Sequence, residues 1–400
     1  MRTAVACTAL LALSACGDSD SAPPSAAPAT LQLPALHAEP DPIHGGRIMD
    51  AQGREVLLRG VNVNSLGEYW AYNPAIPTVY PFTADDADRM SAFGWNIVRL
   101  VVSWSRIEPQ PGAYDTAYLD QVEATVRLLA SRGMYTIVDL HQDAWGATLA
   151  GRPDKRCRPG QEPAYGWDGA PGWATLVPDN MPRCIDIGAE RETALAVLKA
   201  FANFWDDKPA ADGIGIRTRY AQMLGHVASR FAPLDAVAGY DLMNEPNAYL
   251  TYEAKMVAMY ADAIVAIRAA ERAAGAPRRL VFFEPSIAWN LGVGLGIPVF
   301  AYDDQVVYAP HVYHPPAVFE ALYASMRTDA AQFGGAPVVV GEWWCDPRNS
   351  DPICDQEYAL QNRFRTGETL WLWHAAIRTR PSTRATGCRS ARGPITKWIA

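Results

Sequence analysis

Positive charge is the first thing this 400-residue chain has little of: 35 Lys and Arg stand against 43 Asp and Glu, a net charge of −8. A nucleic-acid partner would want a basic face, so the balance argues against one. Cysteine is sparse at seven, and none falls in a CxxC or HExxH spacing, so nothing in the pattern asks for zinc. Past the first 15 residues no apolar run is long enough to cross a bilayer as a helix. No short fixed repeat occurs, and low complexity is confined to one stretch near the start. What is abundant is aromatic: 13 Trp and 17 Tyr, side chains suited to stacking on flat, polar-rimmed ligands such as sugars as well as to filling a core.

The N-terminus reads as an address. Met1–Arg2 is a basic start and Ala4–Ala12 an apolar run of signal-peptide length. It ends in Leu13-Ser14-Ala15-Cys16-Gly17, which resembles a bacterial lipoprotein signal with Cys16 as the acylated first residue. A plain signal peptide cut nearby is the alternative. Residues 1–15 are thus expected to be removed, and 16–40, rich in Ala, Pro, Ser and Asp, to form a tether from the anchor. Oxidising surroundings suit the remaining cysteines. Cys157 and Cys184 share one Gly/Pro-rich loop, and Cys345 and Cys354 flank an Asp/Pro/Asn turn, so two local disulfides are expected ahead of a metal site. Cys388 is left over.

From about residue 41 to 376 apolar runs of strand length alternate with helix-period segments, the pattern of repeated βα units. Strands are expected at Val56–Val63, Ile97–Trp104, Thr136–Leu140, Ala238–Met243, Leu280–Glu284, Val306–Val312, Val338–Trp343 and Thr369–Trp373. Eight is the number a closed (β/α)8 barrel needs. Helical periodicity predicts Ala84–Phe93, Asp115–Arg132, Glu192–Phe204, Ile216–Phe231 and Tyr252–Ala274. The 49 residues from Ala144 to Glu192 have no such period, and a loop of that length is usually functional.

Barrel enzymes keep their chemistry at the C-terminal ends of the strands. Those ends carry Arg99, then His141-Gln142-Asp143, Asn244-Glu245-Pro246, His311-Val312-Tyr313, Gly341-Glu342-Trp343-Trp344, and Trp371 and Trp373. Two glutamates facing one cleft are what glycoside hydrolysis needs, one protonating the leaving oxygen and the other attacking the anomeric carbon. Each piece also has a plainer reading: a helix-capping turn for Asn-Glu-Pro, a core histidine for His141, packing for one of the two tryptophans. The order in which they recur on successive strands carries the inference.

In that order the strand ends resemble glycoside hydrolase family 5, the (β/α)8 family of cellulases, mannanases and endoglycoceramidases. Val102–Asp120, Asp139–Asp143, Pro171–Thr175, Ala200–Trp205 and Tyr240–Pro246 are most similar to the endoglycoceramidases, and the likeness runs from about Leu57 to Trp373. The resemblance implies a retaining β-glycosidase with Glu245 as acid/base and Glu342 as nucleophile, needing no metal or cofactor. It implies that Asn244 holds the sugar 2-hydroxyl, that Tyr313 bonds the nucleophile, and that Arg99, His141, Asp143 and His311 shape the subsite over a Trp373 floor. Tyr313 and Arg99 are expected to hold the Glu342 pKa low, and Glu245 to keep a proton. The implied substrate is an oligosaccharide–ceramide linkage; a polysaccharide endo-glucanase or mannanase, and a glycan-binding lipoprotein without catalysis, are the alternatives. Trp167, Trp173, Trp289, Phe300, Tyr302 and Trp344 are expected to give the mouth an apolar side. A monomer with membrane contact through its lipid is expected, at the cell surface, in the periplasm or secreted. There are departures from the family pattern. The lysine usual after the first strand is missing, with Glu68 as the nearby candidate sugar contact. The tail at 377–400 carries Arg378, Arg380, Arg384, Arg389, Arg392 and Lys397 and no acidic residue, so the barrel's C-terminal end is expected to be incomplete.

Overall fold

The computed structural model describes residues 33–67, 79, 81–151, 157–164, 169–248, 251–290, 297–345 and 352–373. Cys16, Glu68, Trp167, Cys388, residues 1–15 and the tail at 377–400 lie outside the described residues.

Eight parallel strands close a barrel. They are β1 (Arg59–Leu66), β2 (Ile97–Ser103), β3 (Tyr135–His141), β4 (Val237–Asp241), β5 (Leu280–Phe283), β6 in two pieces (Val306–Tyr308 and His311–Val312), β7 (Val339–Trp343) and β8 (Gly367–Leu370). Neighbours pair in that order and β8 returns to β1 through Glu368↔Arg59. The sixth strand was expected as one run. Pro310, which cannot donate a ladder hydrogen bond, divides it. The first piece pairs with β5 through Val306↔Val281 and the second with β7 through His311↔Glu342, and a Tyr308↔Val338 bridge seals the ring.

Period-two alternation sorts each strand between two cores. On β2, Val98, Leu100 and Val102 pack outward among the helices, while Ile97 points to the axis beside Ile137, Ala238, Leu280, Phe282, Val307 and Val339. The helices are α1 (Ala84–Ala92), α2 (Thr116–Ala130), α3 (Leu195–Trp205), α4 (Ile216–Phe231), α5 (Glu253–Ala274), α6 (Phe319–Ala331) and α7 (Pro352–Phe364). Their ends follow local chemistry. Thr83 and Asp86 form a reciprocal capping box on α1, Asp115 caps α2 by accepting from the Tyr118 amide, and α5 stops at Gly275 in a left-handed conformation of φ +64°. Among the described residues no helix is long and apolar enough to cross a membrane.

Two expectations need correction. The tether does not run to Pro40: Leu36–Glu39 pairs antiparallel with Arg47–Asp50, and Leu36, Ala38 and Ile48 plug the barrel's lower core. Four residues alternating apolar and polar sufficed for a strand, too short to stand out against an Ala/Pro-rich background. The eighth strand ends at Leu370 rather than Trp373, because register with β1 places Glu368 and Thr369 on the ladder.

Both expected disulfides form, Cys157–Cys184 with Cα atoms 5.8 Å apart and Cys345–Cys354 with 5.4 Å. The first staples the long loop, whose Gln161–Pro163 and Cys184–Asp186 strands pair antiparallel. Sequence separations of 27 and 9 residues differ in closure entropy. Cys157→Ser/Cys184→Ser should therefore cost about 3.5 kcal/mol and Cys345→Ser/Cys354→Ser about 2.5 on the chain-entropy model. Guanidinium unfolding of the two double variants measures both losses, and equal midpoints with wild type would count against them.

Candidate active site

Arg99 is the hub. It projects from β2 into the barrel, fully buried, and its forked guanidinium reaches four carboxylates: Asp139 at 3.0 Å, Asp241 at 2.9 Å, Glu284 at 3.1 Å and Glu342 at 2.8 Å. It also donates to the side-chain oxygens of Asn62 (3.1 Å) and Asn244 (2.9 Å). One planar cation with five donors can hold several strand ends in a fixed arrangement where a lysine could not. Asn62 extends the grip, donating to the backbone oxygens of Gly341 at 3.1 Å and Thr369 at 3.2 Å.

Glu342, on β7, accepts from Arg99 at 2.8 Å on one oxygen and from the Tyr313 hydroxyl at 2.8 Å on the other. Glu245 follows β4 in a left-handed backbone conformation, φ +38°, unusual for a residue with a side chain. Its Oε1 lies 2.9 Å from Nδ1 of His311 and accepts from Asn290 at 3.1 Å. The same Nδ1 is 3.7 Å from Glu342, so the imidazole stands between the two glutamates. Gly341 makes room for that ring, since a Cβ there would come within 2.8 Å of His311 Nε2. Glu245, His311 and Glu342 each present a donor atom within 4.8 Å of the others, all buried.

A second group surrounds His141, whose Nδ1 lies 2.7 Å from Asp139 and whose Nε2 is 3.8 Å from Asp143. Asp143 is held in turn by Arg191 of the long loop, at 2.9 Å. The Trp371 indole stacks on the His141 ring, centroids 5.3 Å apart and planes 11° from parallel. Asn244 donates to the Gln142 carbonyl at 3.0 Å, leaving it a second amide hydrogen.

Burial and charge compete throughout. For His141 burial disfavours the cation, yet Asp139 and Asp143 raise its pKa well above the ordinary value. For His311 burial is outweighed by Glu284, Glu342 and Glu245, again raising it well above. Asp143 is pushed up by burial but drawn lower overall by Arg191 and His141. Glu192 goes the other way, lifted by burial to about 7. Glu342 departs from expectation. Burial raises its carboxyl above the usual range, and the pull of His311, Arg99 and His141 does not fully reverse this. Tyr313 and Arg99 are in place, but sealing a carboxylate among other carboxylates outweighs them.

Of the residues singled out from the sequence, Arg99, His141, Asp143, Asn244, Glu245, His311, Tyr313 and Glu342 come together. Trp373 does not: it is fully buried, donates to Asp86 at 3.1 Å and packs edge-on against Trp95, outside the barrel. Trp371, stacked on His141, is the tryptophan that lies at the site. Of the aromatic residues expected at the mouth, Trp289 and Phe300 are buried, whereas Tyr302 stays exposed. Trp173 lies against Trp104 and donates to the Glu108 carbonyl, while Phe300 and Tyr302 pack on Phe333. Given no role from the sequence were Asp139, Asp241 and Glu284 around Arg99, Asn290 on Glu245, and Gln142. The last donates to the backbone oxygens of Asn244 (2.7 Å) and Glu245 (2.9 Å) and so fixes that turn. Glu284 closes an expected strand, and the rule that found Glu342 applies to it equally.

The profile of the cellulase family (glycosyl hydrolase family 5) matches residues 49–376. Endoglycoceramidase I of Rhodococcus hoagii is 30% identical over 307 residues, 71% of this chain and 55% of that protein. A glucosylceramidase of Rhizopus delemar is 26% identical over 51% of this chain and 35% of its own length. The chain thus spans roughly a third to a half of these curated relatives. Among solved structures, an endogalactoceramidase superposes with a TM-score of 0.75 at 35% identity, covering 85% of this chain and 75% of that one. Endo-glycoceramidase II from Rhodococcus sp. in a ganglioside GM3 complex gives 0.62 at 28% identity, covering 81% and 75%.

Proposed function

The chain belongs to the cellulase family, glycosyl hydrolase family 5, and from that premise we propose that it is a retaining β-glycosidase acting on the sugar–ceramide bond of glycosphingolipids. One observation carries the chemistry: Glu245 and Glu342 present carboxylate oxygens within 4.8 Å of each other. Retaining enzymes hold their carboxyls ~5–5.5 Å apart, whereas inverting enzymes leave ~6.5–9.5 Å for a water. In the proposed cycle Glu342, aimed by Arg99 and Tyr313, attacks the anomeric carbon while Glu245 gives its proton to the leaving oxygen. Glu245 then takes a proton from the incoming water, which displaces Glu342 from the sugar. Asn244's spare amide hydrogen is the donor for the 2-hydroxyl, Trp371 stacked on His141 forms the floor, and Asp143 with Arg191 offers polar groups beside it.

Ceramide as the leaving group is supported by the similarity to endoglycoceramidase I, to an endogalactoceramidase and to an endo-glycoceramidase II in complex with ganglioside GM3. Incubation with GM3 in detergent beside soluble β-glucan tests it. Release of free ceramide, with no reducing sugar from the glucan, is expected; the opposite pattern would move the enzyme to polysaccharide.

Export with a lipid on Cys16 is part of the same reading, with the protein working as a monomer at a membrane surface. It rests on the apolar run Ala4–Ala12 and the Leu13–Gly17 ending. Cys16→Ser should shift the protein from the detergent to the aqueous phase with kcat/KM on an aryl glycoside unchanged. Unaltered partitioning would refute the anchor.

A further inference from the structure

Glu284 is a fully buried carboxylate that the proposed cycle does not use. It stands immediately after β5, and each of its oxygens has its own task. Oε2 accepts the backbone N–H of Glu245 at 2.9 Å. Oε1 lies 3.2 Å from Nε2 of His311 and 3.1 Å from the Arg99 guanidinium. Its backbone oxygen accepts from the Tyr260 hydroxyl of α5 at 2.9 Å, which ties this strand end to the helix layer.

These partners do not depend on Glu284 equally. Arg99 keeps Asp139, Asp241 and Glu342 if Glu284 is lost. Among the described residues the Glu245 amide has no other acceptor, and Glu284 is the carboxylate facing the Nε2 side of His311. That imidazole touches Glu245 at 2.9 Å through its opposite nitrogen. Two routes therefore run from Glu284 to one catalytic residue. One pins the left-handed backbone of Glu245, a conformation that persists only where surroundings enforce it. The other turns the ring that contacts its side chain, in the way a second carboxylate fixes the orientation of a working histidine.

We propose that Glu284 is a positioning residue for the acid/base, holding Glu245 from its backbone and, through His311, from its carboxyl, while Glu342 keeps its own hydrogen bonds from Arg99 and Tyr313. The carboxylate is well placed to keep the ring charged: among the influences that raise the His311 pKa, that of Glu284 is the largest. Burial pushes its own carboxyl up to about 8, with His311 and Arg99 pulling it back.

This rests on the assignment of Glu245 as acid/base, and the test separates the two. Glu284→Gln preserves shape but replaces one oxygen by a donor, so it cannot accept from the Glu245 amide and face His311 as an acceptor at once. The measurement is kcat/KM for a series of aryl β-glycosides of falling leaving-group acidity, together with a lipid glycoside, under conditions where wild type and variant are both folded. For the most acidic phenol the variant should lose less than about 3-fold, and for the lipid alcohol about 30-fold or more, a part of the roughly 100- to 10,000-fold that general acid catalysis contributes. The Brønsted slope should steepen, and the His311 ring signals in a ¹⁵N-labelled sample should move. Should Glu284→Gln not fold, Glu284→Asp, which retains the charge but withdraws the oxygens, should steepen the slope in the same direction. A uniform loss across the series in a folded variant, or an unchanged slope, would overturn the role of Glu284 while leaving the glycosidase reading intact. An active wild type whose Glu245→Ala variant shows no leaving-group dependence would instead remove the assignment on which it rests.

Discussion

Glu342→Gln should lower kcat/KM by at least about 10,000-fold on every substrate, activated or not, because no covalent intermediate can form without the attacking carboxylate. Glu245→Ala should behave differently. It should lose as much on a lipid glycoside, yet still form the glycosyl-enzyme from an aryl glycoside whose leaving group needs no proton, and azide should rescue its turnover. The pH dependence carries a sign that follows from burial. The nucleophile works ionised, so activity falls as pH drops through its pKa. Since burial holds the Glu342 carboxyl above its ordinary 4.5, the acid limb of kcat/KM should lie above that value. A limb at or below the ordinary carboxylate range would mean that Arg99 and Tyr313 outweigh burial, as first expected from the sequence.

The second large effect is structural. Arg99→Leu leaves Asp139, Asp241, Glu284 and Glu342 facing one another without their common cation. Removing one partner of a buried ionic cluster costs about 3–5 kcal/mol. With ~2 cal/mol/K of unfolding entropy per residue, a domain spanning residues 49–376 loses roughly 1.5 °C per kcal/mol, so the melting temperature should fall by about 4–7 °C. The deficit should shrink as pH falls, since the stranded carboxylates take up protons and stop repelling; stability lost equally at all pH values would mean that shape rather than charge is at stake. Arg99→Lys should recover little, because a point charge cannot reach four carboxylates and two amides at once.

The two outcomes bear on how much of the molecule its sequence makes legible. Apolar strands ending in polar residues stand out, so the eight strands and the pair Glu245 and Glu342 are legible in the sequence. Residues inside strands could not be sorted as well. Asp139 and Asp241 sit among apolar neighbours in β3 and at the end of β4, and only the closed barrel shows that both turn toward Arg99. Trp371 and Trp373 alternate with leucines, so a period-two pattern cannot say which pair faces the axis. The strand limit at Leu370 decides it, and that limit is set by pairing with β1 rather than by local preference. Glu284 closes the expected strand Leu280–Glu284, so its position was legible but not its partners. Its worth lies in contacts to residues 39 positions back and 27 ahead, Glu245 and His311, which no local pattern reports. The lower plug at Leu36–Glu39 was hidden because a strand of four residues gains its stability from the barrel floor it covers.

The stereochemistry of the first product tests the central claim most directly. Proton NMR of a β-glycoside substrate during early turnover, before mutarotation, resolves the anomeric signal of the released sugar. Two successive inversions at Glu342 predict the β anomer first, with the α form growing in only as mutarotation proceeds. An α-configured first product would contradict the account, leaving Glu342 as general base to a water rather than as nucleophile.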